Sequence, residues 1–517
     1  MTWRAWRPTR GESAAAVASA VLFALAFPPI PLVVPAFVCL VPVSLAVVRA
    51  ADARTGWRGA ARTGLLFGLL GYGITLYWLA VALRIYTDLA FLGFIGALIV
   101  LVPIVCATMV TVYAARSLTR WPMAVLLPVV WVASEVLLNY LPQLAFPWLP
   151  LGLSVAKHPL LAQAADLSGV RGLSFWIAAS NGLIVDAWLL RGPTSPRRRA
   201  VLVRGVAVIG LAAVAALYGW WRMSTTRLVP VASVAIVQPN IPQNEKWQEQ
   251  YQGRIVGVLS SLSRQTLSRD TAQLLLWPEA ALPDNFFAHP DWADTMRTLA
   301  TTYHTPILFG TIDVVWHSPS DFDYYNSAML ADTTGRIGTQ PTYHKSYLVP
   351  VVERVPIVNP RWFASFKFFG GMGRGAAPHV FDFRFGKVGV LICYESIFLE
   401  RSRLYRRQGA RLLVNITNDA WFGRSIAVYQ HEAHLALRAI ENRVGIVRDA
   451  NTGISEYVDP LGISHGATGL FVADGRTYLA QTTDVITPYD HLGDWVGTLS
   501  VVATLIFVAA AGARRKN

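Results

Sequence analysis

Val388-Gly389-Val390-Leu391-Ile392-Cys393-Tyr394-Glu395 is the stretch on which the reading of this chain turns. The apolar run Val388 to Ile392 has the length and residue types of a buried strand. It ends on Cys393, with the polar residues Tyr394 and Glu395 behind it. A strand end is a common place to present a nucleophile. A buried cysteine there is also an ordinary packing residue, so Cys393 needs partners before it signifies chemistry.

Two other segments supply them. Leu274-Leu275-Leu276-Trp277 is a second apolar run, followed by Pro278 and Glu279. Pro278 is expected to end that strand and leave the carboxylate at its tip. Lys345 sits in Tyr343-His344-Lys345-Ser346-Tyr347, with Glu353 eight residues on. A lone glutamate or lysine in such places is usually solvated surface. Together with a thiol they form a set. A thiol is a weak nucleophile until a base takes its proton. A buried carboxylate can be that base, especially if desolvation raises its pKa. A fixed ammonium stabilises both a thiolate and an oxyanion. The set suits acyl transfer through a thioester.

The region around these segments, 229–485, has the mixed composition of a soluble domain. Val231–Val237, Gln273–Trp277, Pro306–Ile312, Lys387–Cys393, Arg411–Thr417 and Gly445–Arg448 read as strands. Tyr251–Ser268, Trp292–Tyr303 and Tyr429–Asn442 read as helices. The alternation predicts an α/β layered domain.

Outside this region the chain is apolar. Of 517 residues, 54% are hydrophobic and only 15% charged, which points to a membrane protein. Spans of about 20 apolar residues are expected at 12–28, 32–50, 60–82, 89–115, 122–141, 166–190, 201–221 and 493–512. This divides the chain into a seven-span region, 1–222, the domain 229–485, and a final span, 493–512. The Pro-, Leu- and Trp-rich stretch 142–165 suits an interfacial or re-entrant segment. The N-terminal apolar run is read as half of a retained helical hairpin turned by Pro28-Pro29-Ile30-Pro31, rather than as a cleaved signal.

The net charge of +14 has a topological explanation. Arg4, Arg7 and Arg10, then Arg54, Arg58 and Arg62, then Arg116 and Arg120, then Arg191 and Arg197 to Arg199, and finally Arg514, Arg515 and Lys516 all fall on one side of an eight-span plan. Both termini are therefore expected in the cytoplasm and the domain 229–485 outside. This distribution argues against nucleic-acid binding. Of three cysteines, Cys39 and Cys106 lie in apolar runs, so Cys393 has no disulfide partner and no zinc framework exists.

The segment 358–377 carries Trp362, Phe363, Phe366, Phe368 and Phe369 with Arg361 and Lys367, and then Gly370-Gly371-Met372-Gly373. It reads either as a mobile arm at the membrane–water interface or as a core-packing loop.

Cys393-Tyr394-Glu395, Trp277-Pro278-Glu279 and Tyr343-His344-Lys345 resemble the three signatures of the nitrilase (carbon–nitrogen hydrolase) superfamily. The whole chain is similar to its apolipoprotein N-acyltransferase family. Val237-Gln238-Pro239-Asn240-Ile241-Pro242-Gln243 with Trp247, Phe146-Pro147-Trp148-Leu149, Asn418-Asp419-Ala420-Trp421-Phe422-Gly423 and Arg438-Ala439-Ile440-Glu441-Asn442-Arg443 match it too. The resemblance implies a multi-span α-helical membrane domain plus an α/β nitrilase-like αββα sandwich. It implies Glu279 as general base, Lys345 as charge stabiliser and Cys393 as nucleophile. Glu353, Tyr394 and Glu395 would support them, with the Tyr394 N–H helping to bind the oxyanion. Trp247, Trp148, Asn418 and Trp421 would contact substrate. Val351-Val352 stand where the family usually has Phe-Gly before the glutamate, and His344 and Ser346 where Asn and Arg are commoner.

The implied reaction moves an acyl chain from a phospholipid to the N-terminal amine of a diacylated apolipoprotein, at the outer face of a bacterial inner membrane. It needs no metal or cofactor, and a monomer suffices. Two rivals stand beside it. One is a membrane-anchored amidase with water as acceptor, the other a non-enzymatic scaffold or lipid transporter.

Overall fold

The computed structural model describes residues 6–84, 90–190, 195–318, 321–356, 358–359, 362 and 370–516. Arg4, Arg191, and most of the aromatic arm (Arg361 and Phe363 to Phe369) lie outside the described residues.

The eight expected spans fall on the helices Arg10–Leu25, Val41–Asp52, Arg58–Thr75, Ala90–Thr119, Met123–Tyr140, Ala165–Leu189, Ser195–Thr225 and Trp495–Lys516. Among the described residues, six helical segments are long and apolar enough to cross a membrane by length and composition. Arg10–Leu25 is not among them: its 16 residues reach about 24 Å at 1.5 Å per residue, short of a hydrocarbon core of about 30 Å. Arg58–Thr75 is the other, and the third expected span, 60–82, breaks after Thr75, with Trp78–Leu83 as a separate helix. The break is stabilised from outside: Gln430 Nε2 donates to the Thr75 carbonyl at 3.3 Å, and Trp78 Nε1 donates to Gln430 Oε1 at 3.1 Å. A backbone carbonyl released from its helix needs such a partner.

Three of the five basic segments meet through ion pairs. Arg62 pairs with Glu12 at 2.7 Å, and Asp52 takes both Arg116 at 3.1 Å and Arg120 at 2.6 Å. The stretch 142–165 enters the protein as a short 3-10 turn, Leu151–Val155, and a one-turn helix, Pro159–Ala162. Residues 147–156 are buried, as irregular backbone at membrane depth must be.

The remaining chain forms two six-stranded sheets packed face to face. One has the order β12 (Asp474–Thr482), β1 (Val229–Gln238), β2 (Leu274–Asn285), β3 (Ile307–Ser318), β4 (Asp321–Ala331), β5 (Tyr343–His344). The other runs β11 (Ser464–His465), β10 (Glu456–Val458), β9 (Ile446–Ala450), β8 (Ala410–Thr417), β7 (Gly386–Ile392), β6 (Phe381–Phe383). In each sheet the central pairings are parallel and the outer ones antiparallel. The helices Gln252–Arg269 and Pro290–Tyr303 cover the first sheet through Ile255, Leu259, Trp292 and Met296, which pack on Leu275 and Trp277. The helices Leu399–Arg407 and Ala427–Asn442 belong to the second sheet. The result is an αββα sandwich.

One expectation is corrected. The strand does not end at Pro278. β2 runs on to Asn285, and its register against β3 jumps between Trp277 and Leu282. Pro278 has no N–H to give the ladder, so the strand bulges there and then rejoins. Ala280 adopts φ +44° within the bulge. Glu279 therefore projects from a bulge inside a strand.

The sandwich is bolted to the membrane helices by its own helix Ala427–Asn442, buried at every position but Tyr429. Arg443, just past that helix, donates to Asp166 Oδ2 at 2.6 Å, and Arg222 and Tyr218 bind the same carboxylate, each at 2.7 Å. Gly169 takes φ +68° inside Ala165–Leu189, where a Cβ would lie 2.7 Å from the Tyr489 ring. The Val170 N–H freed by that kink donates to Glu441 Oε1 at 2.8 Å.

Candidate active site

Cys393 opens a 3-10 turn, Cys393–Ile397, directly after β7. Its φ is +49°, in the left-handed region that a residue with a side chain enters only when its surroundings hold it there. Glu395 does part of the holding. Its Oε2 accepts the Ile392 N–H at 2.9 Å, and its Oε1 accepts Tyr343 OH at 2.7 Å and both the N–H and the hydroxyl of Ser346 at 2.8 Å. This one buried carboxylate ties the Cys393 turn to the loop that carries Lys345.

Glu279, Lys345 and Glu353 form one cluster. Lys345 Nζ lies 3.1 Å from Glu279 Oε1 and 2.8 Å from Glu353 Oε1. Asn326, on β4, donates through Nδ2 to the same two oxygens at 2.7 and 2.9 Å. The Asn418 N–H donates to Glu279 Oε2 at 2.8 Å, and Lys246 Nζ donates to the Glu279 carbonyl at 2.9 Å. Glu353 Oε2 accepts the Val349 N–H at 2.8 Å. The Val351-Val352 pair before Glu353 lies in a turn in which Val351 takes φ +70°.

The electrostatics follow. Burial disfavours the Glu279 carboxylate, but the Lys345 ammonium and the Asn326 amide outweigh it and hold the group below its ordinary value. The condition under which desolvation would raise this pKa is therefore not met. Burial also opposes the Lys345 charge, and Glu279 and Glu353 overcome it, so this ammonium stays well above the usual lysine range. Burial pushes the Cys393 thiol up and the Glu279 charge adds to that, with Lys345 opposing. The resting set is a neutral thiol, an ionised carboxylate and a cation. Such a thiol becomes nucleophilic only as its proton is removed, which suits concerted general-base attack. Lys246 is pushed down to about 8 by burial, against the pull of Glu279.

These residues line one end of a cavity of about 420 Å³. Trp247, Trp148, Asn418, Trp421 and Tyr394 are on its walls. Its other end is apolar and belongs to the membrane region: Leu79 and Ala82, then Leu92, Gly96, Ala97 and Val100 from the helix Ala90–Thr119. Trp148 sits where the two ends meet. It stacks on Phe146 at 5.7 Å and on His431 at 5.6 Å between ring centroids, and its Nε1 donates to Gln430 at 2.8 Å. Tyr394 OH donates to the Ala145 carbonyl at 2.7 Å.

Reading the chain did not single out Asn326, Lys246, Gln430 or His431. Asn326 lies on a strand that was not expected, although Asp321–Ala331 is rich in aromatic residues. Lys246 precedes Trp247, and a lone lysine beside a loop carries no local sign of burial. Gln430 and His431 are interior residues of a helix, where polar side chains give no local cue to burial. Among the described residues no group of His, Cys, Asp and Glu is arranged to hold a metal ion.

The carbon–nitrogen hydrolase model matches residues 233–477, and the apolipoprotein N-acyltransferase N-terminal domain model matches residues 19–183. The chain is 35% identical over 519 residues to the apolipoprotein N-acyltransferase of Geobacter metallireducens, covering 97% of this chain and 95% of that one. It is 30% identical over 511 residues to that of Chlorobaculum tepidum, covering 93% and 92%. Among solved structures, an amidase from Nesterenkonia sp. aligns with 52% of this chain and 95% of its own, at 18% identity and a TM-score of 0.36.

Proposed function

The chain belongs to the apolipoprotein N-acyltransferase family, and from that premise we propose that Cys393 carries the acyl group as a thioester, with Glu279 as its base and Lys345 as its charge stabiliser. The chain is an N-acyltransferase of the inner membrane with lipid and lipoprotein substrates.

Cys393 Sγ attacks the carbonyl carbon of a phospholipid acyl ester while Glu279 takes the thiol proton. The oxyanion is met by the Lys345 ammonium and the Tyr394 N–H. The tetrahedral intermediate collapses, the C–O bond breaks, and Glu279 returns its proton to the leaving lysophospholipid oxygen. The α-amine of a diacylglyceryl-cysteine then attacks the thioester, Glu279 accepts its proton, and the amide leaves as Cys393 recovers the thiol. Asn326 and Glu353 keep Lys345 and Glu279 in register, and Lys246 holds the Glu279 backbone. Trp148, Trp247 and Trp421 wall the acyl channel, with Asn418 fixing the base through its N–H.

The observation that carries this reading is the cavity. One continuous space joins the Cys393 end to the apolar wall of Ala90–Thr119, so an acyl chain reaches the thiol without crossing water. The ion pairs that join Arg62, Arg116 and Arg120 to Glu12 and Asp52 support cytoplasmic termini and a sandwich domain, 229–485, on the outer face, with 1–222 and 493–512 as the membrane part. A monomer contains the whole site.

The test is a transfer assay with a carbonyl-labelled phospholipid and a diacylated lipopeptide. Label is expected on Cys393 before acceptor is added, and on the lipopeptide amine after it. Release of free fatty acid in place of transfer would instead indicate an amidase-like hydrolase.

A further inference from the structure

His431 contacts the backbone carbonyl of the proposed nucleophile, and the proposed chemistry leaves it unused. It is fully buried and lines the cavity. Its Nε2 lies 3.1 Å from the Cys393 carbonyl oxygen and 3.1 Å from Ser396 Oγ. Ser396 Oγ itself donates to the same carbonyl at 2.9 Å. With that proton committed, Ser396 Oγ faces His431 as an acceptor, so Nε2 must carry a hydrogen. The ring is locked from the other side. Its Nδ1 faces Asp419 Oδ1 at 3.1 Å and Arg448 Nη2 at 3.2 Å, and Arg448 grips Asp419 Oδ2 at 2.6 Å.

The carbonyl of Cys393 and the N–H of Tyr394 are the two ends of one peptide group. That group is planar and trans, so the N–H points opposite to the carbonyl. As the second residue of a 3-10 turn, Tyr394 has no acceptor within the turn for its N–H. Two hydrogen bonds to the carbonyl draw electron density toward oxygen and make the N–H at the other end a stronger donor. They also pin a peptide whose first residue sits at φ +49°. We propose that His431, held by Asp419 and Arg448, is a positioning residue that together with Ser396 polarises and orients the Cys393–Tyr394 peptide so that its N–H stabilises the oxyanion. This rests on the reading of Cys393 as nucleophile.

The test compares the full-length wild type with His431→Phe, His431→Gln and Ser396→Ala in detergent. Phenylalanine keeps the stack on Trp148 and removes the donor, whereas glutamine can restore an N–H. Acyl-enzyme formation from a 13C-carbonyl phospholipid is followed without acceptor, and the thioester C=O stretch is read by isotope-edited infrared difference. A lost direct oxyanion donor costs about 10²–10³-fold in rate, and an indirect one is expected to cost less, about 10-fold. His431→Phe should slow acylation by about that factor at unchanged KM for phospholipid and shift the C=O stretch upward. His431→Gln should recover part of both, and Ser396→Ala should shift the band the same way. Acylation by His431→Phe within twofold of wild type would overturn the proposal. So would a slower rate with an unmoved C=O band, or an unmoved band in Ser396→Ala if the phenylalanine variant fails to fold. Absence of any thioester band in the wild type would refute the nucleophile assignment itself.

Discussion

Glu279 and Lys345 meet at 3.1 Å although 66 positions separate them in the chain. Glu279 comes from a bulge in a parallel strand, and Lys345 from the residue after a two-residue edge strand. Asn326, between those strands in the sheet, hydrogen-bonds across the pair. The ion pair is thus a product of sheet order, and it sets the charge state in which the thiol waits.

Removing the base or the nucleophile should separate their roles. Cys393→Ala should abolish both transfer and the acyl-enzyme. Glu279→Gln should keep the thiol but slow acylation by about 10²–10⁴-fold, the usual worth of a positioned general base. Single-turnover acylation followed by intact-protein mass spectrometry reads both. Full acylation by Glu279→Gln would mean another group takes the thiol proton.

The pH dependence follows from the direction of the two shifts. Glu279 is depressed below its ordinary value of 4.5, so the folded state gains stability from its charge above pH 4.5 and loses it as pH falls through the folded value. Lys345 is raised above its ordinary 10.5, so its contribution is full below pH 10.5 and is lost as pH rises through the higher folded value. The acid limb of acylation should therefore lie below pH 4.5. In Lys345→Met, burial acts on Glu279 without its main counter-charge, and the limb should move up. A wild-type acid limb near neutrality would contradict this account.

Asn326→Leu should act through both glutamates. It removes the amide donor shared by Glu279 and Glu353 and leaves each with one fewer partner in a buried site. A lost charge-assisted hydrogen bond costs about 1.5–3 kcal/mol, or about 10–100-fold in rate if it acts only in the transition state. Asn326→Asp should be worse, because a third carboxylate joins the pair. The ratio of acylation rates in the two variants checks the order.

The membrane end of the cavity should measure the acyl chain. A Cβ placed on Gly96 meets nothing within 4 Å, and Gly96 lines the cavity, so a larger side chain there occupies open space instead of clashing. Gly96→Phe should fold normally and shift donor preference toward shorter acyl chains. Competition among phospholipids of graded chain length gives the readout. An unchanged length profile would show that the chain does not lie along this helix.

Asp166→Leu should loosen the junction of sandwich and membrane helices. Asp166 is fully buried and faces Arg443 and Arg222. Breaking one side of a buried pair costs about 3–5 kcal/mol, because the remaining charge stays desolvated. A clear drop in thermal midpoint is expected in detergent.

Much of this molecule was readable without coordinates. The six expected strands and three expected helices of the sandwich each fall on an observed element, because period-two and period-3.6 patterns are written in local residue order. Six of the eight expected spans coincide with helices long and apolar enough to cross a membrane, since length and apolarity are local properties. Pro278 misled because its effect depends on the neighbouring strand: with β3 alongside, the chain bulges and pairs again. The third span misled because its break at Thr75 is stabilised by Gln430, more than 350 residues later.

Taken alone, the order of residues determined the layered sandwich, the membrane helices and the identity of a thiol, a carboxylate and a lysine worth combining. Only the tertiary structure decided their charge states, since these depend on which groups meet in a space without water. Burial alone would raise Glu279, yet it is lowered, because Lys345 and Asn326 lie against it. His431 and Asn326 became visible for the same reason: hydrogen bonds between distant segments leave no periodic trace in a chain.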